Sequence, residues 1–167
     1  SVHSLASRFK DEASVIKDMG FKAVKMKVGL GPKDDLVLIE AVRRGVGDDY
    51  PFMIDANHAY TTNDAFYVGR GLEEYNPYWF EEPVAPEDLD GYRELRAGLN
   101  VNIAGGEAEF NRWGWRKLLE SRGLDIAQPE VCALGGISEY LRVLALCHAH
   151  FTPVVNHVWG SAIAVAA

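Results

Sequence analysis

The chain is poor in the features that mark several common protein classes. Its two cysteines, Cys132 and Cys147, are too few for a disulfide framework and form no pair at zinc-ligand spacing. Lys and Arg number 17 against 24 Asp and Glu, a net charge of −7, with no basic run, which argues against a nucleic-acid partner. No apolar stretch is long enough for a membrane span, and the first residues lack the charged-then-apolar layout of a signal peptide. A cytoplasmic location is therefore the expectation. Low-complexity sequence is absent too. Glycine and proline fall at the junctions of short units (Gly29 to Pro32, Gly45, Gly98, Gly123), and none marks a linker, so residues 1–167 are expected to form one domain.

What is present is alternation. Short apolar runs at 23–28, 52–54, 78–80, 101–104, 125–127 and 153–156 read as strands. Amphipathic patterns at 34–44, 63–75, 111–121 and 138–148 read as helices between them. A strand and helix unit repeating in this way implies parallel strands joined by right-handed crossovers, an α/β architecture of the TIM-barrel or doubly wound kind. In either, function lies at the carboxyl ends of the strands. About six units are visible, whereas a closed barrel of this type has eight. Residues 1–9 are expected to be the tail of a further strand, and the chain to be a piece of a longer protein.

Three acids close successive strand runs at one interval: Asp55, Glu81 and Glu107, with 81 − 55 = 26 and 107 − 81 = 26. On a parallel barrel such positions converge on one cavity, and clustered carboxylates repel unless a cation lies among them. A metal ion is the first functional expectation. One unit earlier, Lys25 and Lys27 flank Met26, so both ammonium groups share a face of their strand. Neighbouring cations lower each other's pKa, which makes Lys27 a candidate acid/base. Beyond Glu107 the rhythm continues at Glu130 and His157, where a carboxylate can orient an imidazole for proton transfer. Other tempting features have plainer readings: His148 and His150 end a helical pattern, Gly135-Gly136 makes a tight turn, and Trp113, Trp115 and Trp159 serve packing, although Trp159 follows His157 closely enough to line the site.

Together, Lys25-Met26-Lys27, Asp55-Ala56-Asn57, Trp79-Phe80-Glu81-Glu82-Pro83, Gly105-Gly106-Glu107, Gln128-Pro129-Glu130 and Asn156-His157 resemble the barrel domain of the mandelate racemase subgroup of the enolase superfamily. Within that subgroup, the stretches 55–60, 80–90, 132–139 and 157–161 look most like cycloisomerases of galactarolactone and 3,6-anhydrogalactonate. The resemblance implies a TIM-type barrel domain and an Mg²⁺ ion on Asp55, Glu81 and Glu107. It implies Lys27 and His157 as the two acid/base groups, with Glu130 orienting His157. Lys25 and Asn57 would then bind the carboxylate of a sugar acid. The implied reaction is abstraction of an α-proton through an ene-diolate, in the sense of a cycloisomerase, with a dehydratase or a racemase as alternatives. A non-catalytic barrel piece serving as an interaction module is the reading from another class. A homo-oligomer is expected of the full-length protein. Two departures stand out: Glu130 occupies a position where the subgroup usually carries Asp, and the subgroup's N-terminal capping domain is not among these residues.

Overall fold

The computed structural model describes residues 1–166. Its elements run α1 (Val2–Asp18), β1 (Val24–Lys27), α2 (Pro32–Val46), β2 (Phe52–Asp55), α3 (Thr62–Leu72), β3 (Phe80–Glu81), α4 (Leu89–Gly98), β4 (Ile103–Gly105), α5 (Arg112–Glu120), β5 (Ile126–Ala127), α6 (Ile137–Ala149) and α7 (Ala162–Ala166). The chain divides into two compact units, Ser1–Ala85 with Leu99–Val101, and Pro86–Gly98 with the residues from Asn102 onward.

In the first unit, residues 1–9 open a helix rather than ending a strand, which corrects the sequence expectation. The physical reason is periodicity: Val2, Leu5, Phe9, Ala13 and Ile16 recur at intervals of three and four and form one half-buried stripe. That stripe settles on α2. A Cβ on Gly45 would lie 2.4 Å from the Lys10 carbonyl, so only glycine allows the two helices to come this close, and the Ser14 hydroxyl donates to the Gly45 carbonyl at 2.9 Å. Pro32 at the start of α2, with Asp34 and Asp35 in its first turn, suits the positive end of the helix.

The three strands of this unit are parallel and in simple register. Lys27 pairs with Asp55, and Asp55 pairs with Glu81. Met26, Ile54 and Phe80 alternate away from these polar ends and are buried. At the opposite end of β2, buried Arg43 lies over the Phe52 ring and donates to the carbonyls of Gly47, Asp48, Tyr50, Tyr75 and Asn76. Its planar five-donor head ties the turns before β2 and after α3 to one point.

In the second unit β4 and β5 pair in parallel, Gly105 opposite Ala127. The strand expected at 153–156 is reduced to two isolated bridges, Ala127 with Val154 and Glu130 with His157. Pro129 and Pro153 have no N–H to contribute, and a continuous ladder cannot run through them. Helix α4 was not among the expected patterns; its buried Tyr92 and Leu95, one turn apart, carry the packing. The N-termini of α5 and α6 are joined by Glu139, which accepts from the Arg112 backbone N–H and side chain. No helix among the described residues is long and apolar enough to cross a membrane.

Candidate active site

The carboxyl ends of β1, β2 and β3 carry one cluster. Asp55 and Glu81 are fully buried, a costly placement for two anions unless cations accompany them. Lys25 Nζ lies 2.5 Å from Glu81 Oε1 and 3.0 Å from Asp55 Oδ2, bridging the pair. Lys27 Nζ stands 2.7 Å from the same Asp55 oxygen and is the more exposed of the two lysines. Burial favours the neutral acid at Asp55, but the hydrogen bonds and charges of Lys27 and Lys25 outweigh it and hold its pKa below the ordinary value. At Lys25 burial favours the neutral amine, yet Glu81 and Asp55 overcome it and raise the pKa. The expectation that adjacent lysines depress each other's pKa is therefore not met at Lys25. Each ammonium faces carboxylates rather than the other ammonium.

The second unit carries the other cluster. Gly106, with φ at +116°, precedes Glu107, and a Cβ there would strike the Trp115 ring at 2.3 Å, so the approach of the chain to that buried ring depends on glycine. His157 stands between two carboxylates, Nδ1 at 2.9 Å from Glu130 Oε2 and Nε2 at 3.0 Å from Glu107 Oε2. The Nδ1 contact is a hydrogen bond, and the Nε2 contact with Glu107 becomes an ion pair only when the ring is protonated. The longer Glu130 side chain reaches His157 without difficulty. Burial would raise the Glu130 pKa, but the backbone N–H groups of Cys132 and Trp159, with His157, bring it below the ordinary value.

Several participants escaped the sequence reading. The Trp79 indole N–H donates to Glu81 Oε2 at 2.8 Å; it sits two residues before Glu81, on the same strand face, so alternation could have found it. Asp35, fully buried, accepts from the N–H groups of Gly29, Leu30 and Gly31 and from the Tyr60 hydroxyl, which shapes the loop after Lys27. Glu82 is buried and accepts from the Asn57 side chain at 3.2 Å, so Asn57 is already anchored. Trp113 and Trp159 are exposed, whereas Trp115 is buried as a packing residue should be. Among the described residues, no three His, Cys, Asp or Glu side chains gather in a ready-made metal cage.

Comparison with known proteins gives a family and a set of relatives. Residues 8–167 match the family model described as Enolase C-terminal domain-like. The D-galactarolactone cycloisomerase of Agrobacterium fabrum is 42% identical over 163 residues, covering 96% of this chain and 43% of the relative. The crystal structure of the 3,6-anhydro-D-galactonate cycloisomerase from Zobellia galactanivorans superposes with a TM-score of 0.93 at 43% identity, covering 96% of this chain and 46% of that one. The L-talarate dehydratase from Polaromonas sp. JS666, complexed with Mg and L-glucarate, superposes with a TM-score of 0.87 at 28% identity, covering 92% of this chain and 43% of that one. The chain thus spans less than half the length of these relatives.

Proposed function

Since the chain belongs to the Enolase C-terminal domain-like family, we propose that the full-length protein removes the α-proton of a sugar-acid carboxylate and releases a β-oxygen, as an Mg²⁺-dependent cycloisomerase. The observation that carries this reading is the row formed by Lys27, Asp55 and Glu81, register partners at three successive strand ends. It sets a base candidate beside two buried acids.

Asp55, Glu81 and Glu107 would hold the metal. All their donors are carboxylate oxygens, the hard ligands Mg²⁺ prefers, and Lys25 and Lys27 mark the two buried ones as a place that holds positive charge. When bound, the ion would supply the positive charge that makes a weakly acidic α-proton removable. Lys27 and His157 serve as the two acid/base groups. Glu130 fixes the ring through Nδ1, leaving Nε2 as the nitrogen that exchanges a proton. Lys25 and Asn57 hold the substrate carboxylate. In the cycloisomerase sense, the electron pair of the broken C–H bond becomes the Cα–Cβ double bond, the β-oxygen leaves with the pair of its C–O bond and takes up a proton, and the lactone or anhydro ring opens with no water lost.

The dehydratase reading shares the first step and gains support from the resemblance to the talarate dehydratase. The two diverge in their products, since dehydration expels water. The test is incubation of the full-length protein with Mg²⁺ in deuterated water, using galactarolactone, 3,6-anhydrogalactonate and a panel of aldonates. Deuterium at the α-carbon of recovered substrate, with an isomeric product that carries deuterium at the former β-carbon, is expected. A product lighter by one water favours the dehydratase, and no exchange with any substrate sinks both in favour of a non-catalytic module.

A further inference from the structure

Glu82 follows Glu81, and its side chain is 1% exposed. One carboxylate oxygen, Oε2, accepts from the Asn57 amide at 3.2 Å, and His58 Nε2 lies 2.8 Å from it as a charge contact without hydrogen-bond geometry. The other, Oε1, is buried with no hydrogen-bond partner among the described residues. The backbone here is costly as well. Asn57, His58 and Glu82 all adopt left-handed conformations, with φ of +45°, +67° and +42°, in a pairing extended past the strands by His58 N–H to the Glu82 carbonyl and Tyr60 N–H to the Pro83 carbonyl.

A carboxylate needed only for packing would have both oxygens satisfied, or would be replaced by an apolar side chain at lower cost. Strain and an unsatisfied buried oxygen, concentrated on three residues, suit a group retained for what it orients. We propose that Glu82 is a positioning residue: it aims the Asn57 amide and the His58 imidazole at the substrate, with Asn57 meeting the carboxylate and His58 a hydroxyl of the sugar acid. This rests on the sugar-acid reading above. Two contacts on one oxygen make the orientation of Asn57 and His58 interdependent. They also leave Asn57 with a second amide hydrogen to donate outward.

The test uses the full-length protein with Glu82→Gln and Glu82→Leu. In Glu82→Leu, KM should rise by about tenfold, the scale of a lost charge-assisted hydrogen bond. Both kcat and Mg²⁺ affinity by calorimetry should stay within about twofold, because the reacting groups are untouched. Glu82→Gln keeps a neutral acceptor and should return KM close to the wild-type value. In an Asn57→Ala background, Glu82→Leu should raise KM far less than it does alone. Unchanged KM in Glu82→Leu, full additivity with Asn57→Ala, or a Gln variant as impaired as Leu would each overturn the proposal. If Glu82→Leu fails to fold, Glu82→Ala and its cycle with Asn57→Ala decide. Absence of α-proton exchange in the wild type sinks the proposed activity instead. In that case the Asn57 side-chain amide still decides the positioning: its hydrogen exchange should be slowed in the wild type and fast in Glu82→Leu.

Discussion

The polar ends of the two units solve the same electrostatic problem in opposite ways. At β1 to β3, two lysines answer two buried carboxylates, and the cluster is charge-balanced from within. In the second unit, one imidazole stands between Glu107 and Glu130, so negative charge is in excess even when the ring is protonated. The first arrangement protects anions; the second holds an imidazole between two carboxylates. A cation added to the first cluster would compete with its lysines, and one added to the second would meet unbalanced carboxylates.

The largest test of this contrast removes the proton carriers. Lys27→Ala and His157→Ala are each expected to lower turnover by roughly 10³-fold, far more than the loss of stability from leaving a carboxylate unpaired explains, because each is proposed to move a proton. Deuterium exchange into substrate separates their roles. If one variant still exchanges the α-proton while the other does not, the silent one lacks the abstracting base; near-normal turnover in either removes that residue from the assignment.

The next test concerns the cation. Mg²⁺ at about 100 times its Kd should stabilise the full-length protein by about 2.7 kcal/mol, seen as a rise in Tm. Asp55→Asn should abolish that rise. Persistence of the rise in the variant would show that the ion binds without Asp55.

Away from the strand ends the units differ again, in how an arginine ties their elements together. Arg43 is buried under five backbone carbonyls, so Arg43→Ala should cost about 3 kcal/mol in denaturant unfolding. A loss within error would mean that water replaces the guanidinium without penalty.

The smallest effect is expected at Arg112 and Glu139, the corresponding tie in the second unit. The Arg112 side chain and backbone N–H bring the Glu139 pKa down from 4.5 to about 2. A carboxylate with a depressed folded pKa stabilises above its unfolded value and loses that contribution as pH falls through the folded one. Stability should thus fall between about pH 4.5 and 2, and Glu139→Gln should flatten that part of the profile while leaving the Arg43 effect intact. An unaltered acid profile in the variant would place the titration elsewhere.

Much of this molecule was legible before any coordinates. The interval that picks out Asp55, Glu81 and Glu107, the shared face of Lys25 and Lys27, and the step from Glu130 to His157 all follow from local rhythm. The helical reading of 34–44 fell within α2. The misreadings came where local pattern was thin. Residues 1–9 contain a helical stripe spaced too widely to stand out in nine residues, and only the extension to Ile16 completes it. The strand at 153–156 looked apolar enough, but two prolines reduce it to bridges.

Sequence alone determined which residues close the strands, in what order, and with what chemistry, because side-chain alternation and helical period are properties of a few neighbouring residues. Only the tertiary structure decided that Lys25 bridges Asp55 to Glu81, that Trp79 holds the far oxygen of Glu81, and that Glu82 gathers Asn57 and His58. Those contacts join residues up to 56 positions apart. They depend on strand register and on left-handed backbone at three residues, neither of which leaves a mark in the spacing of side chains along the chain.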